Sequence, residues 1–288
     1  MISKITKFAT LIATLGILSA THFTLLKTKS LAGDEKKIDR ISLSAKTFLK
    51  GDYQKNFESV FLRGMRGRPF LVRTENDINY KLFGDASKNL GTIIMPGSDN
   101  FLIEQAYVHS FNRANPNSPE VLSQLTEKLE LLQSLLADKG ISFTFLITPS
   151  KAEVYPEKIP DNFLHPERDS RQSDYLTFLQ STKDKKINLV DAAKLTKELK
   201  KTSKHPVFAP GGIHWSYLTA CKVSQVLVDE IANQLSKDLQ RPVCEPVEFR
   251  TKPYGTETDM LRLLNLWDET AWKAPFPYPP MKLSLIHI

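Results

Sequence analysis

The stretch from Ser118 to Leu239 constrains the fold most. Ser118 can cap a helix, Pro119 fits its first position, and Glu120 suits the positive end of the helix dipole. Val121, Leu122, Leu125, Leu129, Leu132, Leu135 and Leu136 then recur at helical spacing, and Gly140 is a natural stop. Residues 141–147, rich in β-branched and aromatic side chains, predict a buried strand running into the loop Thr148-Pro-Ser-Lys151. A second short strand is expected over 187–190. Helices are expected over 169–181, 192–201 and 215–239, the last with Val223, Val226, Leu227, Ile231 and Leu235 on one face. Helices alternating with short apolar strands imply an α/β fold with a parallel sheet covered on both sides. Ligands of such sheets bind beyond the carboxyl ends of the strands, which puts the loop after Ile147 and the loop around His214 on one edge.

The segment before residue 118 is less regular. Helices are expected near 37–49 and 53–63, a short strand over 92–95, and a turn at Pro96-Gly-Ser-Asp99. Lys4 and Lys7 precede an uncharged run from Phe8 to Leu26 that Lys27 and Lys29 close. That order is an export signal, and the run approaches the roughly 20 residues of a membrane-spanning helix. Ser30-Leu31-Ala32-Gly33 offers a cleavage point, but the lysines beside it favour an uncleaved anchor in the inner membrane through 8–26. A buried core helix is the alternative. After export, Cys221 and Cys244 would meet an oxidising compartment and could pair; two buried thiols are equally compatible with the sequence. Hydrophobic residues at 41% and charged ones at 25% exclude a disordered chain and a polytopic membrane protein. A net charge of +7 without long basic runs does not indicate nucleic-acid binding.

Two loops carry possible chemistry. Phe208-Ala-Pro-Gly-Gly-Ile-His-Trp215 holds an irregular backbone just before a helix and sets His214 near its amino end. An imidazole there can act as general base to a nucleophilic hydroxyl; a structural histidine in a tight turn is the alternative. Pro149-Ser-Lys-Ala-Glu-Val-Tyr-Pro-Glu157 places Lys151 and Tyr155 after a strand, where they can hold an anionic or polyhydroxy ligand, or simply face solvent. Ser150 lacks the glycine-flanked elbow of nucleophilic serines. No His/Cys pair has metal-ligand spacing, and Gly211-Gly212 completes no phosphate-binding fingerprint, so no metal and no cofactor are expected. Trp267, Trp272 and Phe276-Pro-Tyr-Pro-Pro280 can stack on sugars or anchor loops.

Taken together, these blocks resemble the AlgX/AlgJ-type alginate O-acetyltransferases. The resemblance runs from about Tyr53 to Asp268. It rests on Phe57-Glu-Ser-Val-Phe-Leu62 with Arg66 and Arg73, on Tyr80-Lys-Leu-Phe83, and on Ile93-Ile-Met-Pro-Gly-Ser-Asp-Asn-Phe-Leu102 with Tyr107. It continues through the Pro149–Glu157 block, His214-Trp215, and Asp259-Met-Leu-Arg-Leu-Leu264. It implies a three-layer α/β/α SGNH-like domain behind an N-terminal hydrophobic helix, acting in the periplasm on a secreted polysaccharide, beside a membrane-bound acyltransferase partner. It implies a Ser–His–Asp triad whose His falls on His214. The family Asp falls on Gly212, so this chain departs there, and Asp259 is the acidic candidate in the downstream block. Lys151, Tyr155 and Trp215 are the expected substrate contacts.

The family serine has no match before residue 288. Leu283-Ser-Leu-Ile-His-Ile288 reads as the translation of a transposase sequencing adapter. The expected organisation is a signal or anchor over 1–32, a helical lead-in over 33–90, a partial acetyltransferase domain over 91–282, and six non-biological residues over 283–288. Two other functions fit the same residues: a non-catalytic polysaccharide-binding or assembly protein, which Gly212 favours, and a carbohydrate O-acetylesterase.

Overall fold

The computed structural model describes residues 9–12, 14, 16, 28–33, 39–65, 67–84, 93–268 and 276–280. The expectations for most of 8–26, for Trp272 and for 283–288 lie outside these residues. Among the described residues no helix is long and apolar enough to cross a membrane. The chain divides into two units, one of residues 1–91 with 262–269 and one of 92–261 with 270–288.

The first unit is helical. Helix α1 (Ala45–Leu49) starts at a reciprocal cap, in which Ser44 Oγ accepts from Thr47 N–H and Thr47 Oγ1 accepts from Ser44 N–H. Gly51, at φ 78°, makes the left-handed step into α2 (Asp52–Gly64). Helix α3 (Arg68–Ile78) has Pro69 in its first turn. The interior of this unit is a polar clamp. Arg73, 4% exposed, donates from Nη1 to Leu266 O (2.7 Å) and from Nη2 to Ser30 O (3.1 Å). Asn76 Nδ2 donates to Leu264 O at 2.8 Å. The helix expected over 37–49 is therefore shorter, and the one at 53–63 extends by a residue at each end.

Among its described residues the second unit contains three two-stranded sheets. Strands β1 (Ile94–Pro96) and β2 (Leu102–Glu104) pair antiparallel, with Met95 opposite Ile103. After α4 (Gln105–Phe111) and α5 (Pro119–Ala137), β3 (Phe145–Ile147) pairs in parallel with β4 (Leu189–Asp191), Leu146 facing Val190. Short α6 (Lys151–Val154), then α7 (Asp174–Ser181), lie between them; α8 (Ala192–Thr202) and α9 (Tyr217–Leu235) follow. Strand β5 (Glu248–Arg250) pairs antiparallel with β6 (Phe276–Tyr278), with α10 (Asp259–Leu263) between them in sequence.

The α/β alternation is present, but the parallel sheet is narrower than expected: among the described residues it is one pair. The expected strand 141–147 is ordered as strand only over its last three residues, which are half-buried. The 169–181 helix begins at Asp174, because Ser173 caps it by accepting from Leu176 N–H. The 215–239 helix begins at Tyr217, capped by Ser216, and ends at Ser236 in a left-handed conformation. On α5 the buried stripe is Leu122, Thr126 and Leu129, while Val121, Leu125, Leu132 and Leu135 are exposed. Two apolar clusters organise the unit. One gathers Met95, Ile103, Val108, Phe111, Ala152 and Ile159. The other gathers Phe101, Val154, Tyr155, Val207 and Phe208, with Trp215 packed against it. Cys221 and Cys244 form a disulfide, which settles their alternatives in favour of pairing.

Candidate active site

The site is built on the loop Phe208–Trp215. Its two ends are drawn together by a β-bridge between Phe208 and Trp215 and by Ser216 N–H donating to Val207 O at 2.9 Å. Its interior carbonyls point inward and must find donors. Leu102 N–H serves Pro210 O (3.0 Å) and Leu261 N–H serves Gly211 O (3.1 Å). Lys151 Nζ serves Pro210 O as well, at 2.6 Å, and two more: Ala209 O at 2.7 Å and Gly212 O at 2.8 Å.

Lys151 is thus a correction to the sequence reading. Its side chain is 1% exposed and all three ammonium N–H groups are spent on the loop, leaving none for a ligand. Burial pulls its pKa well below the ordinary lysine value, and the negative charge of Asp259 pulls the other way. Tyr155 is corrected in the same sense. It is 7% exposed, its ring lies 4.9 Å from that of Phe101, and its hydroxyl accepts from Val207 N–H at 3.1 Å. Burial pushes the phenol pKa up. Both residues fall on the loop side of the strand end rather than the solvent side, because Ser150 caps α6 by accepting from Glu153 N–H and turns the chain inward. Trp215 keeps a partly exposed ring beside His214.

The imidazole of His214 is 59% exposed. Its Nε2 lies 3.7 Å from Asp259 Oδ2, too far for a hydrogen bond and close enough for a charge pair when the ring is protonated. The other oxygen, Asp259 Oδ1, accepts from Ile213 N–H at 2.9 Å and from Met260 N–H at 2.7 Å. One carboxylate oxygen therefore fixes the residue next to the histidine while the other faces the ring. Among the described residues no serine hydroxyl is hydrogen-bonded to this imidazole.

Gly212, where the resemblance sets the family aspartate, cannot carry a side chain in this arrangement. A Cβ there would lie 2.4 Å from Thr256 O and 3.0 Å from Glu257 Cα. The backbone of 256–257 occupies that space. It is held by Glu257, 5% exposed, whose carboxylate accepts from the Tyr278 hydroxyl.

Glu104 belongs to the same electrostatic neighbourhood and was missed in the sequence. Burial raises its pKa, and the charge of Asp259 adds to the rise. Glu104 in turn acts on Tyr107, whose pKa is raised by burial first and by Glu104 second. The available signal was an acid ending the apolar triplet Phe101-Leu-Ile103, in a block that already contains Tyr107. Beyond the carboxyl end of β3 a cleft of about 220 Å³ opens, lined by Thr148, Ser150, Glu153, Tyr175 and Lys197. Among the described residues no cluster of His, Cys, Asp or Glu could hold a metal ion.

Two solved structures are similar at low identity. The O-acetyltransferase domain of Pseudomonas putida AlgJ matches with 22% identity and a TM-score of 0.43, over 65% of this chain and 63% of that one. Bacillus cereus PatB1 matches with 17% identity and a TM-score of 0.38, over 53% of this chain and 46% of that one. The chain thus spans less than two thirds of either. No curated protein matches it. Residues 95–284 match the family described as the SGNH hydrolase-like domain of acetyltransferase AlgX, a range that holds the Lys151 buttress, His214 and Asp259. By that match, over more than half its length, the chain belongs to the AlgX SGNH hydrolase-like acetyltransferase family.

Proposed function

We propose that this chain is the histidine-bearing part of an O-acetyltransferase that modifies a secreted or cell-envelope polysaccharide. The observation that carries the reading is the pairing of His214 with Asp259 on a loop pinned by Lys151. In the proposed reaction a serine hydroxyl attacks the acetyl carbonyl of a donor. The serine proton passes to the His214 nitrogen that does not face Asp259, and the donor's leaving group departs with that proton. A sugar hydroxyl then attacks the acetyl-serine, giving up its proton to His214, which returns it to the serine oxygen. Asp259 stands in for the family aspartate, favouring the imidazolium that forms in each half. The attacking serine is not assigned to a position. Trp215, partly exposed beside the histidine, offers a face for a sugar ring. No cofactor enters this scheme.

The chain is read as exported to the periplasm, and the disulfide Cys221–Cys244 supports an oxidising compartment. The run 8–26 is read as an inner-membrane anchor, which would hold the domain near a membrane-bound acyltransferase that supplies acetyl groups.

The test is turnover of a chromogenic acetyl ester, with and without acceptor oligosaccharide, by the complete gene product and its His214→Ala variant. Loss of turnover in the variant supports the reading, and unchanged turnover sinks it. Gly212 favours a second reading, a polysaccharide-binding protein without catalysis. It predicts glycan binding by the parent and no ester turnover. A carbohydrate O-acetylesterase would release acetate whether or not an acceptor sugar is present.

A further inference from the structure

Helix α2 buries none of its thirteen residues, although it carries a continuous apolar stripe. Tyr53, Phe57 and Phe61 are four residues apart in turn and Val60 lies three after Phe57, so they share a face. Their rings form a ladder: Tyr53 to Phe57 and Phe57 to Phe61 are each 6.3 Å between centroids and nearly parallel. Phe57 is 59% exposed and Phe61 51%. Together with Ile41 and Met65 the stripe lines an open groove of about 450 Å³ within the first unit. A monomeric protein rarely leaves so continuous an aromatic face to water.

The surroundings of the stripe select its occupant. Between Arg40 and Gly64 five Lys or Arg stand against two acids. A short helix with aromatic residues on one face and basic residues around it is the pattern of an interfacial helix, with rings at headgroup depth and cations on anionic lipid. Arg40 follows the apolar run ending at Leu26 by fourteen residues, which reach at most about 50 Å when extended. This last point rests on the proposed reading of 8–26 as an anchor. We infer that the aromatic face of α2 seats the first unit on the surface of an anionic bilayer.

The experiment uses the full chain with its disulfide intact, reconstituted in vesicles of phosphatidylcholine and phosphatidylglycerol. A nitroxide is attached at Phe57→Cys or Phe61→Cys, both outward-facing, and at Lys55→Cys on the opposite side of the helix. The expected result is a several-fold higher ratio of oxygen to nickel-chelate collision rates at 57 and 61 than at 55, smaller in phosphatidylcholine alone. Vesicles that carry the chain on flotation but give equal ratios at all three positions overturn the inference and leave the anchor reading standing. A chain that does not float with vesicles overturns both. Dipolar broadening between labels at 57 makes a second copy of the chain the occupant and also overturns it.

Discussion

Asp259 holds the backbone N–H of Ile213 with one carboxylate oxygen and presents the other to His214, 3.7 Å from Nε2. The acid thus grips the residue next to the one it faces. An aspartate that fixes the histidine's loop and carries the charge opposite to a protonated ring meets what the proposed role requires. Asp259→Asn keeps an oxygen for Ile213 and removes the charge. If Asp259 supports the imidazolium, kcat on an acetyl ester falls by about a hundredfold or more, toward the ~10⁴ seen when an orienting carboxylate is neutralised in serine hydrolases. The melting temperature should move little. Steady-state kinetics and a thermal melt of the complete gene product separate the two effects, and an unchanged kcat removes Asp259 from the mechanism.

Lys151 acts at one remove, through the carbonyls of Ala209, Pro210 and Gly212. Lys151→Met keeps most of the stem's packing and removes the donors. Each buried polar group left without a partner costs roughly 1–3 kcal/mol. Relaxation of the loop toward water recovers part of that, so a net loss of about 3 kcal/mol is expected. Lys151→Arg should not rescue it, because a planar guanidinium does not match three carbonyls converging on one nitrogen. Denaturant unfolding measures the loss, and a variant as stable as the parent contradicts the buttress role.

Residue pattern and tertiary contact divide the legible from the illegible here. The start of α5 could be read because Ser118, Pro119 and Glu120 act locally, through hydrogen bonds and dipole within one turn. The start of α9 was misplaced by two residues, because Ser216 also caps, and the expected range took Trp215 for the first helical residue. Leucine spacing on α5 marked a helix but not its buried face; Thr126 is buried and Leu132 is not, since neighbouring elements decide which stripe they cover. His214 stood out because Pro210 and two glycines flank it. Lys151 read as a ligand-binding cation because sequence gives the charge of a side chain, not the three carbonyls 58 to 61 residues away that consume it. Glu104 was missed for the same reason: its coupling to Asp259 spans more than 150 positions and leaves no local pattern.

Gly212 offers a direct trial of whether this loop accepts an acid at that position. Gly212→Asp sets a carboxylate two residues before His214. In this structure the new Cβ would stand 2.4 Å from Thr256 O, backbone that cannot swing aside like a side chain. Overpacking of this kind costs typically about 1–3 kcal/mol, more where backbone must move. The variant is therefore expected to unfold at lower denaturant and to gain no ester turnover over the parent. Gly212→Ala should show most of the same loss, which would assign it to the Cβ rather than to the added charge. A stable Gly212→Asp with raised kcat would mean that the 256–257 backbone yields to a carboxylate at this position.

The packing behind Gly212 carries its own pH signature. Burial raises the pKa of Glu257 above its ordinary value of 4.5, opposed by hydrogen bonds from the Tyr278 hydroxyl and Tyr254 N–H and by the charge of Arg250. In the folded chain the proton is therefore held more tightly than in the unfolded one. Below 4.5 both states carry it, and the group adds no pH dependence. As pH rises through 4.5 the unfolded carboxyl ionises first, so stability is lost until the folded group ionises too, after which the curve is flat. Glu257→Gln cannot ionise and keeps a carbonyl oxygen for the Tyr278 hydroxyl. The stability difference, parent minus variant, should thus fall as pH increases from about 4.5 and then level off. Denaturant midpoints taken across that range measure it. A difference that grows with pH would mean that Tyr278, Tyr254 and Arg250 together outweigh the burial, and that Glu257 sits in the folded chain as a stabilised carboxylate.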